Sequence, residues 1–205
     1  DEVAGLMMEK YGSDPMYEFD IRPVVCRCGN RVRVKILHDQ WFLKYSDPVW
    51  KQEVQDHVNE MALVPPEVRV EFDRTIWWLK DWACTRRVGL GTRFPWDTNQ
   101  LIEPLSDSTV YMAYYTIAHR IRDMDAKLLT PEVFDYIFLG KKSPDLPEKK
   151  KLDAMREEFL YWYPYDFRFS AKDLISNHLT FQIFHHTTVF AGQKDKLPKG
   201  MVVFG

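Results

Sequence analysis

Cysteine is scarce in this chain: three in 205 residues, Cys26, Cys28 and Cys84. Three thiols cannot close a disulfide framework, which excludes the small disulfide-stapled class and predicts reduced thiols in a cytosolic setting. An excess of one charge is missing as well. With 28 Lys and Arg against 30 Asp and Glu, the net charge of −2 leaves no whole-chain field to hold RNA. Any nucleic-acid contact then has to be local, and Arg86, Arg87 and Arg93 are the candidates. No apolar run approaches the roughly 20 residues that a membrane-spanning helix needs, and the N-terminus is acidic rather than signal-like. A membrane partner is therefore not expected and a cytoplasmic location is. Internal repeats and low-complexity tracts are absent too, which excludes repeat arrays. What is present, 45% hydrophobic and 28% charged residues, reads as a soluble globular chain long enough to bury a sizeable core.

Cys26-Arg27-Cys28-Gly29 has the form of half a zinc knuckle set between strand-like runs. A structural zinc needs four ligands, no second cysteine pair follows, and His38 or Cys84 would have to be recruited by the accident of folding. Zinc content is the observation that would reveal a zinc-ribbon nucleic-acid binder, but no metal is expected. The competing reading is a hairpin whose tip is Cys28-Gly29-Asn30, with glycine and asparagine supplying the turn.

Along the chain, residues 1–11 have a helical pattern, and Tyr17 to Phe42 alternates apolar and polar residues as a hairpin. Asp47 opens a helix with Pro48 in its first position, running to about Met61. Pro65-Pro66 breaks the chain. Phe72 to Lys80 reads as a short amphipathic helix, and Ala83 to Arg87 as a buried strand leaving into a turn at Gly89 and Gly91. From Ser108 to Ile121 apolar residues recur at helical spacing, with Ser106 and Asp107 as caps. A helix starts at Thr130-Pro131-Glu132, a solvated loop covers Lys141 to Pro147, and Leu146 to Trp162 is a helix with a charged outer face. The last third repeats strand, helix, strand: Phe167–Phe169, Ile175–Phe190, Met201–Phe204. That is a parallel βαβ unit of the right-handed kind.

The segment from Phe167 to Phe181 carries the most chemistry. An alternating run ends in the small pair Ser170-Ala171, then comes Asp173, then a helical pattern bearing His178. A strand turning over small residues into a helix leaves backbone N–H groups open, and a nearby carboxylate can bind ribose hydroxyls. Each residue has a plainer reading. The Asp serves as a helix cap, the His as a core residue with one hydrogen bond, and helically spaced tyrosines as packing. His185-His186 resembles a metal pair only superficially, since adjacent helical residues point about 100° apart.

Two further segments give these residues a context: Trp77-Trp-Leu-Lys-Asp-Trp-Ala-Cys-Thr-Arg-Arg-Val-Gly-Leu-Gly-Thr-Arg-Phe-Pro95, and Leu105-Ser-Asp-Ser-Thr-Val-Tyr-Met-Ala-Tyr-Tyr115. In this order the three blocks resemble the catalytic domain of leucyl-tRNA synthetases of the archaeal and eukaryotic-cytosolic type. The resemblance runs over nearly the whole chain. It implies an α/β fold: the C-terminal half of a split Rossmann (class I synthetase) catalytic domain with a small β-hairpin appendage. The expected division is a helical remnant after an editing insertion (1–16), a hairpin or ribbon-like subdomain (17–45), and the second Rossmann half (46–205). Within it, Phe167–Phe169 and Ala83–Arg87 should share one parallel sheet, with Met201–Phe204 beside one of them.

The resemblance also implies roles. Ser170 and Ala171 fall at a tight turn where the adenine of ATP approaches the backbone; Ala171 stands for the family's usual glycine, so a positive φ there would strain it. Asp173 falls where an acid binds the adenosine ribose. His178, Ser108 and Tyr111 fall where the family lines the leucine pocket, and these three should converge on one cleft with Asp173 at its rim. Arg86 and Arg87 are possible tRNA contacts. The implied substrates are leucine, ATP with Mg2+, and tRNA(Leu), with no tightly bound cofactor. The H-I-G-H and K-M-S-K-S phosphate-binding signatures are not found, nor a segment like the editing domain. The chain therefore reads as a monomeric fragment, cut before the K-M-S-K-S loop, with no catalytic residue of its own and inactive alone. The alternatives are an isoleucyl- or valyl-type synthetase fragment, disfavoured because those enzymes differ where Asp107 to Met112 stands here, and a non-catalytic nucleotide-binding domain.

Overall fold

The computed structural model describes residues 2–17, 23–142, 144–145 and 148–205, and the chain divides into two compact units, Asp1–Gln40 and Trp41–Gly205. The first unit opens with α1 (Glu2–Tyr11), exposed along its length. Gly12, at φ 62°, ends it: the Gly12 and Ser13 N–H groups return to the Met8 and Met7 carbonyls at 3.1 and 3.3 Å. A left-handed glycine after the last turn satisfies orphan carbonyls in this way. The expected hairpin tip is present. Cys26 N–H donates to Asn30 O and Gly29 N–H to Cys26 O, both at 2.9 Å, with Gly29 at φ 81°. The thiols expected to be reduced are instead joined, Cys26 to Cys28, across a Cα separation of 5.3 Å. The tight turn brings both side chains to one side of the tip, which composition alone does not reveal. Residues 18–22, part of the expected hairpin, lie outside the described residues.

In the second unit, β1 (Phe42–Leu43) precedes α2 (Pro48–Glu60). The Asp47 carboxylate caps α2, accepting from Val49 and Trp50 N–H at 2.9 and 3.1 Å, and Pro48 occupies the first turn where its missing N–H costs nothing. Next come β2 (Ala62–Val64), α3 (Arg69–Trp78), β3 (Trp82–Ala83), β4 (Thr85–Arg86), β5 (Arg93–Phe94) and β6 (Asp97–Ile102). The short helices α4 (Pro104–Asp107), α5 (Tyr111–Tyr115), α6 (Ala118–Ile121) and α7 (Pro131–Phe134) lead to α8 (Lys149–Trp162). The chain closes with β7 (Arg168–Ala171), α9 (Thr180–Val189) and β8 (Gly200–Phe204). The expected start of α8 at Leu146, and residues 143 and 147 of the expected loop, lie outside the described residues.

The βαβ unit forms as expected: β7 and β8 pair in parallel, Arg168 opposite Met201 through Ala171 opposite Phe204, with α9 between them in sequence. Their sheet, in the order β2-β8-β7, does not contain Ala83–Arg87. That expectation is corrected, for two reasons. The run kinks at buried Cys84, so β3 pairs antiparallel with β1 while β4 pairs antiparallel with β6. Cys84 itself bonds outward on both sides, its N–H to Trp41 O at 3.0 Å and its carbonyl to Glu103 N–H at 2.8 Å. The third parallel strand is β2, three residues long and hidden against Pro65-Pro66, too short for alternation to reveal.

The single helix expected from Ser108 to Ile121 is also corrected. Val110 and Ile117 sit at φ near −120° with ψ near zero and separate α4, α5 and α6. Thr109, Val110, Thr116 and Ile117 stand at these breaks, and β-branched residues tolerate helical crowding poorly. Glu103, rather than Ser106 or Asp107, caps α4 by accepting from Leu105 N–H at 3.1 Å.

Two cores result. Val54 and Val58 of α2, Phe72 and Ile76 of α3, and Phe181 and Phe184 of α9 close over Met201 and Val203 of β8. Ile117, Ile121, Val133, Leu152, Met155 and Phe159 form the second, around α8. Lys51 joins α2 to α3 by donating to the Trp77 and Leu79 carbonyls at 3.0 and 2.8 Å, filling acceptors that the end of α3 leaves open.

Candidate functional site

Two unlike turns in succession carry the chain from β7 to α9. A 3-10 turn (Lys172–Leu174) follows Ala171, and a π turn (Ile175–Leu179) leads into α9. Ala171 has φ −86° and ψ 151°, ordinary extended backbone, so the strain expected of an alanine in place of glycine is not there. Ser170 is buried opposite Val203. Beyond the carboxyl ends of β7 and β8 lies a cavity of about 480 Å³, lined by Ala171, Lys172, Asp173, Ser176 and Phe204, with Glu71 and Thr75 of α3. Asp173 is exposed, and its backbone carbonyl accepts from Ser176 Oγ at 3.5 Å and Asn177 Nδ2 at 3.3 Å. Carboxyl ends of parallel strands are where open α/β sheets bind ligands.

One turn further on, His178 is buried. Its Nε2 lies 2.9 Å from the Ser108 carbonyl and 3.1 Å from Ser108 Oγ, across seventy positions of sequence. The Tyr111 ring is 6.2 Å from the imidazole, centre to centre. Arg168, at the start of β7, donates from Nη2 to His178 Nδ1 at 3.1 Å and stands 5.6 Å above the Tyr111 ring. Its other terminal nitrogen donates to Gln182 Oε1, and the Gln182 amide donates to the Tyr165 hydroxyl. Burial, and next the Arg168 charge, hold the His178 imidazole below its usual pKa, against a smaller opposing pull from the Ser108 carbonyl. The ring is neutral at physiological pH, with an aromatic wall beside it.

Ser108, Tyr111 and His178 thus meet. Asp173 and Ala171 do not join them: they line the strand-end cavity, whose lining includes none of those three. The arginines proposed for tRNA lie elsewhere on the unit. Arg86, on β4, donates to the Leu90 carbonyl and so braces its own turn, while Arg87 is exposed. His185 and His186 face different partners, His185 toward Tyr45 and Thr109 hydroxyls at 3.0 and 2.5 Å, His186 toward the Tyr163 hydroxyl and the Gln182 carbonyl. No metal-sized cluster of His, Cys, Asp and Glu occurs among the described residues.

Sequence reasoning passed over Arg168 and Gln182. A signal existed for the first. Strand residues two apart share a face, so Arg168 points the way buried Ser170 does, and a cation directed inward calls for a partner.

No family model matches the chain. Curated relatives do match: leucine–tRNA ligases from Methanopyrus kandleri, 56% identical over 211 residues, and Methanothermobacter thermautotrophicus, 55% over 203. A third, from Pyrococcus furiosus, is 48% identical over 218 residues. These alignments take in 99–100% of this chain but 21–22% of each relative, so the chain spans about a fifth of their length. The resemblance carried by the three motif blocks therefore holds from end to end: the chain matches one segment of the archaeal leucine–tRNA ligases.

Proposed function

We propose that the chain works as part of a leucine–tRNA ligase, where it supplies the leucine pocket and the adenosine-ribose site of the second half of a split Rossmann domain. The observation that carries the proposal is the meeting of Ser108, Tyr111 and His178, distant in sequence, around the buried His178 imidazole. A small apolar amino acid can be enclosed only by residues that share one cavity, and a neutral imidazole beside an aromatic ring suits an aliphatic side chain. Asp173 is the candidate for the ribose hydroxyls, beside the backbone that leaves β7.

The reaction asks little acid–base chemistry of this segment. The leucine carboxylate attacks the α-phosphorus of ATP, which enters with Mg2+, pyrophosphate leaves to give leucyl-adenylate, and the leucyl group passes to a hydroxyl of the terminal ribose of tRNA(Leu) with release of AMP. Positioning and charge stabilisation carry most of the rate. An apolar pocket separates substrates differing by one methylene by only about 1–3 kcal/mol, so the selection that Tyr111 and His178 give among aliphatic amino acids is limited. In the full-length enzyme His178→Ala should raise KM for leucine in pyrophosphate exchange with KM for ATP nearly unchanged, and Asp173→Ala should do the reverse. Equal loss on both substrates from either variant would remove the assignment.

A further inference from the structure

His178 sits between two partners of opposite and fixed character. Arginine carries donors only, so Arg168 can approach Nδ1 at 3.1 Å only where that nitrogen offers a lone pair. A carbonyl accepts only, so the Ser108 oxygen at 2.9 Å requires the proton on Nε2. Each partner alone selects the same neutral tautomer, and a protonated ring would turn an N–H toward the guanidinium. Arg168 is itself pinned by the buried Gln182 amide, which Tyr165 holds in turn, and by the Tyr111 face at 5.6 Å.

We infer that Arg168 is a positioning residue of the leucine pocket: through His178 Nδ1 it fixes the ring in its Nε2–H form and in one orientation, and through the Tyr111 face it sets the opposite wall. The inference builds on the proposed leucine pocket and adds the device that shapes it. It also explains an arginine pointing inward from a parallel strand, where an unpaired charge would be costly. The ionisable groups facing the imidazole are Arg168 on β7, Tyr111 on α5 and His185 on α9, with Tyr165 behind Arg168; no carboxylate contributes to holding the ring in its charge state. Loss of the guanidinium leaves Nδ1 open to a proton.

The test uses the full-length enzyme and leucine-dependent pyrophosphate exchange. With wild type, KM for leucine should stay level from about pH 8 to about pH 6, the ordinary titration range of imidazole. Arg168→Met should raise that KM about tenfold, the loss of one charge-assisted hydrogen bond, leave KM for ATP within about twofold, and make KM for leucine climb toward acid pH. Adding His178→Gln should abolish the climb, since the titrating ring is gone. Arg168→Lys keeps a cation and a donor, so it should recover the level profile and most of the affinity; it also carries the test should the methionine variant fail to fold. Two results overturn the inference: a wild-type KM that itself climbs across this range, or an Arg168→Met enzyme that loses leucine and ATP alike with a level profile. His178→Gln alone separates the two claims, for if it leaves KM for leucine unchanged, the leucine-pocket reading fails at its source and the inference falls with it.

Discussion

Mild acid should destabilise this fold through its buried imidazoles. His185 and His186 on α9 are enclosed, His185 between the Tyr45 and Thr109 hydroxyls and His186 between the Tyr163 hydroxyl and the Gln182 carbonyl. Burial above all lowers each imidazole to about 4, against about 6.5 for an unfolded chain. Between those values the unfolded state binds protons that the native state refuses, so stability falls as pH falls. From about pH 7 to about pH 5 each ring removes roughly 2 kcal/mol, and the pair about 4. Domain stabilities are about 5–15 kcal/mol in total, so this is a large fraction. His57 and His178 are lowered too, chiefly by burial, and act in the same direction.

Urea unfolding of the chain at the two pH values measures the effect directly. Replacing one ring, as in His185→Gln or His186→Gln, should shrink the difference in unfolding free energy between about pH 7 and about pH 5 by roughly 2 kcal/mol, whatever the substitution costs at neutral pH. A doubly substituted chain that still loses as much stability as the parent over this interval would refute the reasoning, because the proton-linked loss would then reside elsewhere.

Two glycines give sharper structural tests. Gly140, at φ 72°, ends the π turn Asp135–Leu139, and a Cβ there would stand 2.6 Å from Arg156 Nη2, whose guanidinium donates to the Tyr136 and Ile137 carbonyls at 2.8 and 3.0 Å. Gly140→Ala should cost about 2–4 kcal/mol from left-handed strain and displaced hydrogen bonds, read as a lower melting temperature; an unchanged one would show that the turn relaxes freely. Gly200 begins β8, and a Cβ on it would meet the Ala62 carbonyl and the Phe167 ring, each at 2.7 Å. Gly200→Ala should loosen β2 selectively, so that hydrogen exchange quickens at Leu63 and Val64 more than along β7; uniform quickening would contradict the local account.

Elements with local punctuation were legible in the sequence. Asp47-Pro48 announced α2, Gly29-Asn30 the hairpin tip, and the strand–helix–strand order of the last third the parallel pair β7 and β8. These signals act over a few residues, through caps, turn geometry and alternation. What failed depended on distant partners. β2 is a strand because β8 lies beside it, and nothing within Ala62–Val64 announces that. Ala83–Arg87 has the composition of one strand, yet Trp41 and Glu103 take up Cys84 from two directions and split it. The convergence of Ser108, Tyr111 and His178 was legible only through the family resemblance, since no local pattern joins residues seventy positions apart. The hub of that cluster, Arg168, was signalled only by its alternation with buried Ser170, and its partners lie on other elements.

How one short segment serves two places follows from its changes of helical pitch. In an unbroken α-helix, residues five apart stand about 140° around the axis from each other, which would leave Asp173 and His178 on unrelated faces of a single cylinder. Here a 3-10 turn holds Asp173 at the strand end, and the π turn then inserts an extra residue before α9 begins. Widened turns of this kind leave a carbonyl without its usual partner, and the Thr180 hydroxyl supplies one, donating to Ile175 O at 2.6 Å. The insertion lets Ile175 and Leu179 enter the core beside α2 and α3 while His178 turns to Ser108. In a regular helix Ile175, His178 and Leu179 would share one face, at i, i+3 and i+4; across the π turn the two apolar side chains enter the core while the imidazole reaches Ser108, within seven residues of the strand end.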